Sequence, residues 1–533
     1  MKKLAVLSLI GLLILAFGIA YAQEKKEEPK LEFKFSGFID AQFNSYVNAT
    51  NGNPSAGIYD VVPAAFKPFS STTVVSNGKS GPTAIDDNVS YWMSRARLKL
   101  DAIYGKVASG TIHFEMDSDR WGDSPGGNAG KISERNTYGY WSGDRAAVEV
   151  KNAYFDFGVP GIPIPVSMRV GLQPLSIRPW LFLYTDGMGI NASIKVDPAN
   201  ISLLYFKAVE GADETADDVN VYGLHANAKI GTVTVGGYGL YYNMNSYPLF
   251  AAQILTIIGG TYFTKLINGT QRAEMWWLGF YADGKVGPVN LNLDFIYDNG
   301  KVESRNTPTV KDAKYSGWMV QGKVAYPWEA FNVGGLFMYA TGADRNKTGS
   351  TGAPGTQSTG TRTKVGSYVV PPGSEAGAIY GESVVFYSYS GNRGTTGPGL
   401  SINYNALSRG PTGGTWMAKL FGSYQATPWY KVTLQGMYIG DTTKKGNTIG
   451  TAVKTAFVGT TAASPLYRDD KDIGWELDLI NEIQINKQLK MTIAGGYLWA
   501  GDALDYSYRS ANVLYNYEPK NPWMITTNLT YNF

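Results

Sequence analysis

The stretch Ser94-Arg95-Ala96-Arg97-Leu98-Lys99-Leu100-Asp101-Ala102 alternates polar and apolar residues over nine positions. Its charged side chains fall on one face of an extended chain and its alanines and leucines on the other, because successive side chains of a β-strand point in opposite directions. The same pattern returns in Val289–Phe295 and in Ile190–Val196. A half-buried strand of a soluble sandwich also alternates in this way, so one segment leaves the class of β-protein open.

The number of such segments and the connections between them decide the class. Short connections such as Gly287-Pro288 alternate with long external loops, which we predict at 48–89, 118–145, 244–272, 342–414, 441–471 and 503–521. This alternation is typical of an up-and-down transmembrane barrel with short periplasmic turns. We predict eighteen strands: 31–46, 90–103, 107–117, 146–158, 165–172, 188–197, 201–210, 218–230, 232–243, 274–286, 289–299, 315–326, 331–341, 415–426, 430–440, 473–486, 489–501 and 523–533.

The predicted fold class is therefore all-β, a closed antiparallel transmembrane β-barrel over residues 31–533. The sheet must close, since lipid offers no hydrogen-bond partner to an open edge. Sixteen strands are the alternative, because 201–210 and 331–341 alternate poorly. Aromatic residues near strand ends, such as Trp276 and Trp277, indicate a belt at each membrane interface.

The N-terminal residues predict export. Lys2 and Lys3 precede the apolar run Leu4–Ile19, and Ala20-Tyr21-Ala22 matches the small-x-small cleavage pattern. We expect residues 1–22 to be a removed signal peptide and 23–30 a short periplasmic segment. Removing Lys2 and Lys3 leaves 45 of the 47 basic residues against 44 acidic ones, a balance that argues against nucleic acid as a partner.

The scarcity of reactive side chains argues against enzyme and cofactor functions. The chain has no Cys, which excludes disulfides, thiolate metal sites and covalent haem attachment. Its two histidines, His113 and His225, lie in phase with polar strand faces, and a pore-lining role suits them better than catalysis. We expect no enzyme activity, no cofactor and no metal site.

At this point the chain resembles a Gram-negative outer-membrane porin. The final Leu529-Thr530-Tyr531-Asn532-Phe533 is similar to the assembly signal of outer-membrane proteins, which implies the barrel assembly machinery as a partner. Ser94–Leu98, Val150–Phe155 and Met168–Gln173 resemble early strands of phosphate-selective and related specific porins. The resemblance implies an outer-membrane location among lipid and lipopolysaccharide, a homotrimer, and a third external loop folded into the pore.

That loop would be 173–187, which is unusually apolar and carries only Arg178 and Asp186 as charges. An apolar block exposed at the cell surface would be adhesive, so we expect the segment to pack on the inner wall or at a subunit interface. Removing it would distinguish a constriction from an interface. The role of the second apolar loop, 247–266, stays open between a plug and a subunit contact.

Inward charges predict the ion preference of such a pore. The early strands carry the basic residues Arg95, Arg97, Lys99, Arg169 and Lys195, and the sixteenth strand carries the acids Glu476, Asp478 and Glu482. The predicted pore-lining and constriction residues are Arg95, Arg97, Lys99, Glu115, Arg169, Arg178, Asp186, Lys195, Glu476 and Asp478. We expect a water-filled channel for passive diffusion of small hydrophilic solutes and ions. The alternatives are a solute-selective, anion-preferring porin and a polysaccharide-export or structural barrel.

Overall fold

The computed structural model describes residues 29–48, 89–116, 121, 148–179, 181–211, 216–249, 253–258, 261–266, 271–304, 312–344, 347, 363–374, 382–387, 407, 410, 412–444, 470–504, 506–510, 513–517 and 521–533. The predicted signal peptide lies outside these residues, as do the interiors of the external loops 48–89, 118–145 and 441–471. No helix in the described part of the chain is long and apolar enough to cross a membrane.

One antiparallel sheet forms the wall. Of the nineteen strands in this sheet, Lys364–Val365 is a two-residue addition beside the wall, and the other eighteen build it. We number them β1 Leu31–Val47, β2 Val89–Tyr104, β3 Ala108–Met116, β4 Val148–Gly158, β5 Val166–Ile177, β6 Leu183–Val196, β7 Ala199–Val209, β8 Val219–Ile230, β9 Val233–Tyr247, β10 Gln271–Val286, β11 Val289–Ser304, β12 Ala313–Trp328, β13 Phe331–Ala340, β14 Thr415–Thr427, β15 Tyr430–Asp441, β16 Asp472–Gln484, β17 Leu489–Ala500 and β18 Trp523–Asn532.

The wall is closed. Each strand pairs with its neighbours in sequence, and β18 pairs with β1 from Phe38 opposite Asn532 to Val47 opposite Trp523. The prediction of an eighteen-stranded closed antiparallel barrel is confirmed, and the sixteen-strand alternative is wrong. Every second connection is short, with two residues between β10 and β11 and seven between β4 and β5, and we take the end that carries these connections and both termini as periplasmic.

Outward side chains are apolar and exposed. Phe35 of β1 is 68% exposed and Leu420 of β14 75% exposed, whereas inward residues such as Gln42 and Lys419 are buried. The aromatic pair predicted for the interface divides between the two faces. Trp276 points outward, but Trp277 lies buried inside the barrel.

The sequence predicted a loop at 173–187. In the structure this segment is the tip of the β5–β6 hairpin. Its two arms pair with each other from Gln173 opposite Gly187 to Ile177 opposite Leu183. Pairing of β5 with β4 ends at Leu172, and pairing of β6 with β7 begins at Met188. The tip therefore leaves the wall on both sides, and we call 173–187 the lumenal hairpin.

Two other predicted loops also contain regular structure. Within 244–272, β9 continues to Tyr247, and Gln253–Ile258 pairs with Thr261–Leu266. Within 503–521, Tyr506–Ser510 pairs with Val513–Tyr517. The side chains of both small hairpins lie outside the described part. Within the apolar segment 247–266, only the side chains of Tyr247–Leu249 are described, so its role as a plug or a subunit contact stays open.

Candidate pore constriction

Basic side chains of β2 form a ladder on the inner face of the wall. Arg97 lies opposite Glu115 of β3, and its guanidinium contacts that carboxylate. Arg95 Nε is 3.8 Å from Glu115 Oε1, and Lys99 Nζ is 3.0 Å from Asp101 Oδ2. Opposite charges on neighbouring positions of a sheet attract, so carboxylates hold the predicted ladder against the wall.

One extra residue in β4 adds a lysine to this cluster. The register of β4 against β3 shifts once, and Lys151 is left without an opposite partner. A bulge of this kind re-aims a side chain. Lys151 Nζ donates to Asp186 Oδ2 at 2.8 Å and lies 3.8 Å from Glu115 Oε2. Strict alternation assigns Lys151 and Asn152 to opposite faces, which is why the sequence did not reveal Lys151.

The lumenal hairpin is fastened at its base and at its tip. At the base, Asp186 accepts hydrogen bonds from Lys151 and from Asn152 Nδ2, the latter at 2.6 Å. At the tip, Arg178 Nη2 donates to Asp294 Oδ2 of β11 at 2.6 Å, and the guanidinium also contacts Asp283 of β10. The hairpin thus crosses the lumen from β4 to β10 and β11.

Arg178 stays charged at the tip. Burial alone would lower its pKa, but the hydrogen bonds to Asp294 and Asp283 outweigh burial and raise the pKa above its ordinary value. The guanidinium also lies over the ring of Tyr281, 4.5 Å from the ring centroid. A bidentate ion pair with this stacking fixes both the position and the orientation of the tip.

The apolar block of the hairpin packs on the barrel's own inner face. Phe182 and Leu183 are fully buried, and the Phe182 ring stacks on Tyr238 of β9 at 5.1 Å and lies 6.3 Å from the Trp277 ring. Burying a large side chain of this type is worth roughly 1.5–3 kcal/mol. Leu181 is also buried, and Trp180 lies outside the described residues.

A segment of the connection after β13 braces the hairpin. Ser374 Oγ donates to the Phe182 carbonyl at 2.9 Å and accepts from the Tyr184 amide at 3.3 Å. Trp277 Nε1 donates to the Val369 carbonyl at 2.8 Å. The predicted external loop 342–414 therefore enters the barrel over residues 366–374.

Residues 382–387 of the same connection cover the acids of β16. The Glu476 carboxylate accepts from the amides of Val384, Val385 and Phe386 at 2.7–2.9 Å, and Asp478 Oδ2 accepts from Val384 at 3.0 Å. Both acids are 1% exposed. They lie on the inner face of the wall, where their carboxylates hold residues 382–387 in place.

Glu382 fastens the start of this segment, and no pattern in the sequence predicts this role. Its carboxylate contacts Lys323 of β12 and Lys419 of β14. Burial tends to raise the pKa of Glu382, but Lys419 and Lys323 outweigh burial and hold the pKa below its ordinary value of 4.5. Because the surrounding Gly- and Ser-rich loop shows no hydrophobic periodicity, the sequence does not predict which residues Glu382 contacts.

Arg169 and Lys195 differ in their surroundings, although the sequence treats them alike. Arg169 Nε donates to Asp156 Oδ1 at 2.7 Å, and its guanidinium lies 4.1 Å from the Tyr154 ring centroid. Lys195 is exposed and forms no ion pair with any residue that the structure describes. Arg169 has this partner because Asp156 lies opposite it in the register of β4 and β5.

A cavity of about 500 Å³ lies between residues 382–387 and the inner faces of β12 to β18. Lys323, Lys431 and Lys490 line it together with Glu482, which contacts both Lys431 and Lys490. Serine, threonine and asparagine side chains supply most of the remaining lining. The inner wall is thus polar where in-folded chain does not cover it.

Several solved protein structures align with most of this chain. No family model and no curated protein matches this chain. Pseudomonas aeruginosa OccK8 (OprE) is 10% identical, with a TM-score of 0.44 over 94% of this chain and 98% of that one. Pseudomonas aeruginosa OccK11 (OpdR) is 11% identical, with a TM-score of 0.43 over 96% and 99%. OmpT, an outer membrane protein of Vibrio cholerae, is 10% identical, with a TM-score of 0.35 over 95% and 100%.

Proposed function

We propose that the chain is an outer-membrane porin, a water-filled channel for passive diffusion of small hydrophilic solutes and ions. One observation carries the proposal. The closed wall has apolar, exposed side chains on its outer face and charged side chains on its inner face, and the lumenal hairpin crosses its interior. Exposed Phe35, Phe280 and Leu420 suit lipid, and a closed sheet is the β-structure that a bilayer tolerates.

The lumenal hairpin is the proposed constriction. Its tip contacts β10 and β11 and its base contacts β4, so it divides the barrel interior along a chord. Solutes would pass beside the cluster of Arg95, Arg97, Lys151, Glu115 and Asp186 rather than through the apolar side of the hairpin. The homotrimer, the barrel assembly machinery and the resemblance to phosphate-selective porins stay predictions.

Conductance across planar bilayers tests the proposal. We expect the purified full chain to form discrete open channels. Deleting residues 177–185 should raise the conductance of each channel, because it removes the tip and its apolar block. The matched control deletes the same number of residues, 350–358, from the Gly-, Ser- and Thr-rich connection after β13, and it should leave conductance unchanged.

Two results would overturn the proposal. Absence of channels from a folded barrel would argue for a structural role. Unchanged conductance after deletion of residues 177–185, with the barrel intact by heat-modifiable mobility, would show that the constriction lies elsewhere.

A further inference from the structure

Three lysines lie side by side on the outer face of the wall at its external end. Lys301 of β11 is directly opposite Lys314 of β12, and Lys314 is opposite Lys364 of the added two-residue strand. Lys301 also contacts Glu303, while Lys314 forms no ion pair with a described residue. Like charges directly opposite one another destabilise a sheet, so an anion bound over this row would stabilise it.

The row forms one side of an open pocket of about 670 Å³. Two further lysines enter it from the connections after β13 and β15: Lys347, whose carbonyl accepts from the Lys364 amide, and Lys444, which forms an isolated β-bridge with Asp344. Two carboxylates, Glu274 and Asp344, also line the pocket. Five lysines against two carboxylates leave the pocket net positive.

Nearby charges do not reverse this balance. Arg272 contacts Glu274, Lys347 is 4.0 Å from Asp344, and Glu303 and Asp312 lie near Lys301. With these neighbours included, six cations still face four carboxylates. The positive charge is therefore a property of the whole patch.

The position of the pocket identifies the kind of anion. Trp276 and Tyr339 line its lower edge, and Trp276 is exposed on the lipid-facing side of the wall. Aromatic side chains at a barrel's end mark the membrane interface, and basic residues next to it attract anionic head groups. A phosphate group carried on a lipid satisfies both the lysines and the adjoining aromatic surface.

We propose that this pocket binds the phosphorylated head group of an outer-leaflet glycolipid. The inference rests on the proposed outer-membrane function, which supplies the orientation of the barrel. Lys301, Lys314 and Lys364 hold the phosphate, and Trp276 and Tyr339 contact the adjoining sugar or acyl chain. Bound lipid would also fasten the segments around Lys347 and Lys444 to the rim.

Binding of bisphosphorylated lipid A to the folded full chain in detergent, measured by native mass spectrometry, tests the proposal. The variant carries Lys301→Gln, Lys314→Gln and Lys364→Gln. Each basic residue near a membrane surface contributes on the order of a few-fold to tenfold in affinity, so we expect binding weaker by about 100-fold. The control variant, Lys30→Gln, Lys106→Gln and Lys487→Gln, loses the same charge at the periplasmic end and should bind as wild type.

Further probes separate lipid from free phosphate. Chemically dephosphorylated lipid A should bind as weakly as the variant, and inorganic phosphate should bind far more weakly than the lipid. Equal binding of dephosphorylated lipid, equal affinity for inorganic phosphate, or equal loss in the control would overturn the proposal. The lysine variant should conduct as the wild-type chain does. Absence of channels from the wild-type chain would count against the pore proposal, but the lipid-binding measurement would still stand.

Discussion

Arg178 carries a conformational cost that its contacts must offset. Its φ of +47° lies in the left-handed region, where a residue with a side chain is disfavoured and glycine is not. The cost of such a conformation is on the order of 1 kcal/mol. Glycine would remove that cost but also the ion pairs with Asp283 and Asp294. An arginine at this position therefore indicates that fastening the tip matters more than relaxing the turn.

Replacing Arg178 by Ala should destabilise the barrel interior. The Asp294 side chain is only 1% exposed, and leaving a buried charge without its partner costs about 3–5 kcal/mol. Because Asp283 is partly exposed, we expect the lower end of this range. Denaturant unfolding of the refolded barrel measures the loss, and bilayer recordings should show added current noise from the released tip.

A second substitution separates charge from packing. Asp294→Asn in the Arg178→Ala background removes the buried charge and should recover a large part of the lost stability. The current noise should persist, since the tip still lacks its fastening. Full stability and quiet channels in Arg178→Ala alone would show that Phe182 and its neighbours hold the hairpin without the ion pairs.

At the scale of the strand, poor alternation has a physical cause. The two segments that made sixteen strands possible became β7 and β13, and both carry apolar residues on their inner faces as well. Leu204 and Phe206 of β7 and Met338 of β13 are buried under in-folded chain, while Leu203 on the outer face of β7 is exposed. Covered inner faces can therefore be apolar, which explains the poor alternation of these two segments.

The C-terminal strand closes the barrel, and its last residue takes part. The Phe533 amide donates to the Gly37 carbonyl at 3.0 Å, and the Gly37 amide donates to the Phe533 carbonyl at 2.9 Å. A Cβ on Gly37 would lie 2.9 Å from the Phe533 ring and 2.1 Å from the Arg97 carbonyl oxygen, so only glycine fits there.

Deleting Phe533 should impair barrel assembly while leaving export intact. Two backbone hydrogen bonds at the seam are lost, each worth about 0.5–1.5 kcal/mol, together with the terminal aromatic ring. The fraction of heat-modifiable barrel in the outer membrane measures assembly, and Phe533→Tyr, which keeps the ring and the backbone, serves as control. A normal fraction of folded barrel after the deletion would contradict this prediction.

At the scale of the whole molecule, the wall was predictable and the filling of its lumen was not. Period-two alternation and loop lengths report a strand's two environments, and they located all eighteen strands. The contacts that cross the lumen, Arg178 with Asp294 and Glu382 with Lys419, join residues far apart in sequence and have no period. The apolar composition of 173–187 predicted in-folded chain there, whereas the Gly- and Ser-rich segments around residues 366–374 and 382–387 carried no such signal.

The distribution of lumenal charge predicts a modest preference for anions. Arg95, Arg97 and Lys151 face Glu115 and Asp186, and the Asp40 carboxylate lies opposite Arg95, so three cations meet three carboxylates at the proposed constriction. On the wall beyond it, the pairs Lys99–Asp101 and Arg169–Asp156 cancel, and Lys195 adds one positive charge that has no ion pair with a described residue. Charges that line a narrow pore set its ion preference.

Lys195→Gln should therefore shift the reversal potential in a salt gradient toward cation preference. Arg169→Gln should shift it in the same direction, because the Asp156 carboxylate loses its partner and faces the lumen. The double variant Arg169→Gln, Asp156→Asn removes both members of the pair and should leave the reversal potential at the wild-type value. All shifts should shrink near 1 M salt, where the screening length falls to about 3 Å. If the neutral double variant shifts the reversal potential as much as Arg169→Gln does, the pair acts through the shape of the wall and not through its charge. An unchanged reversal potential in Lys195→Gln would place that lysine outside the path of the ions.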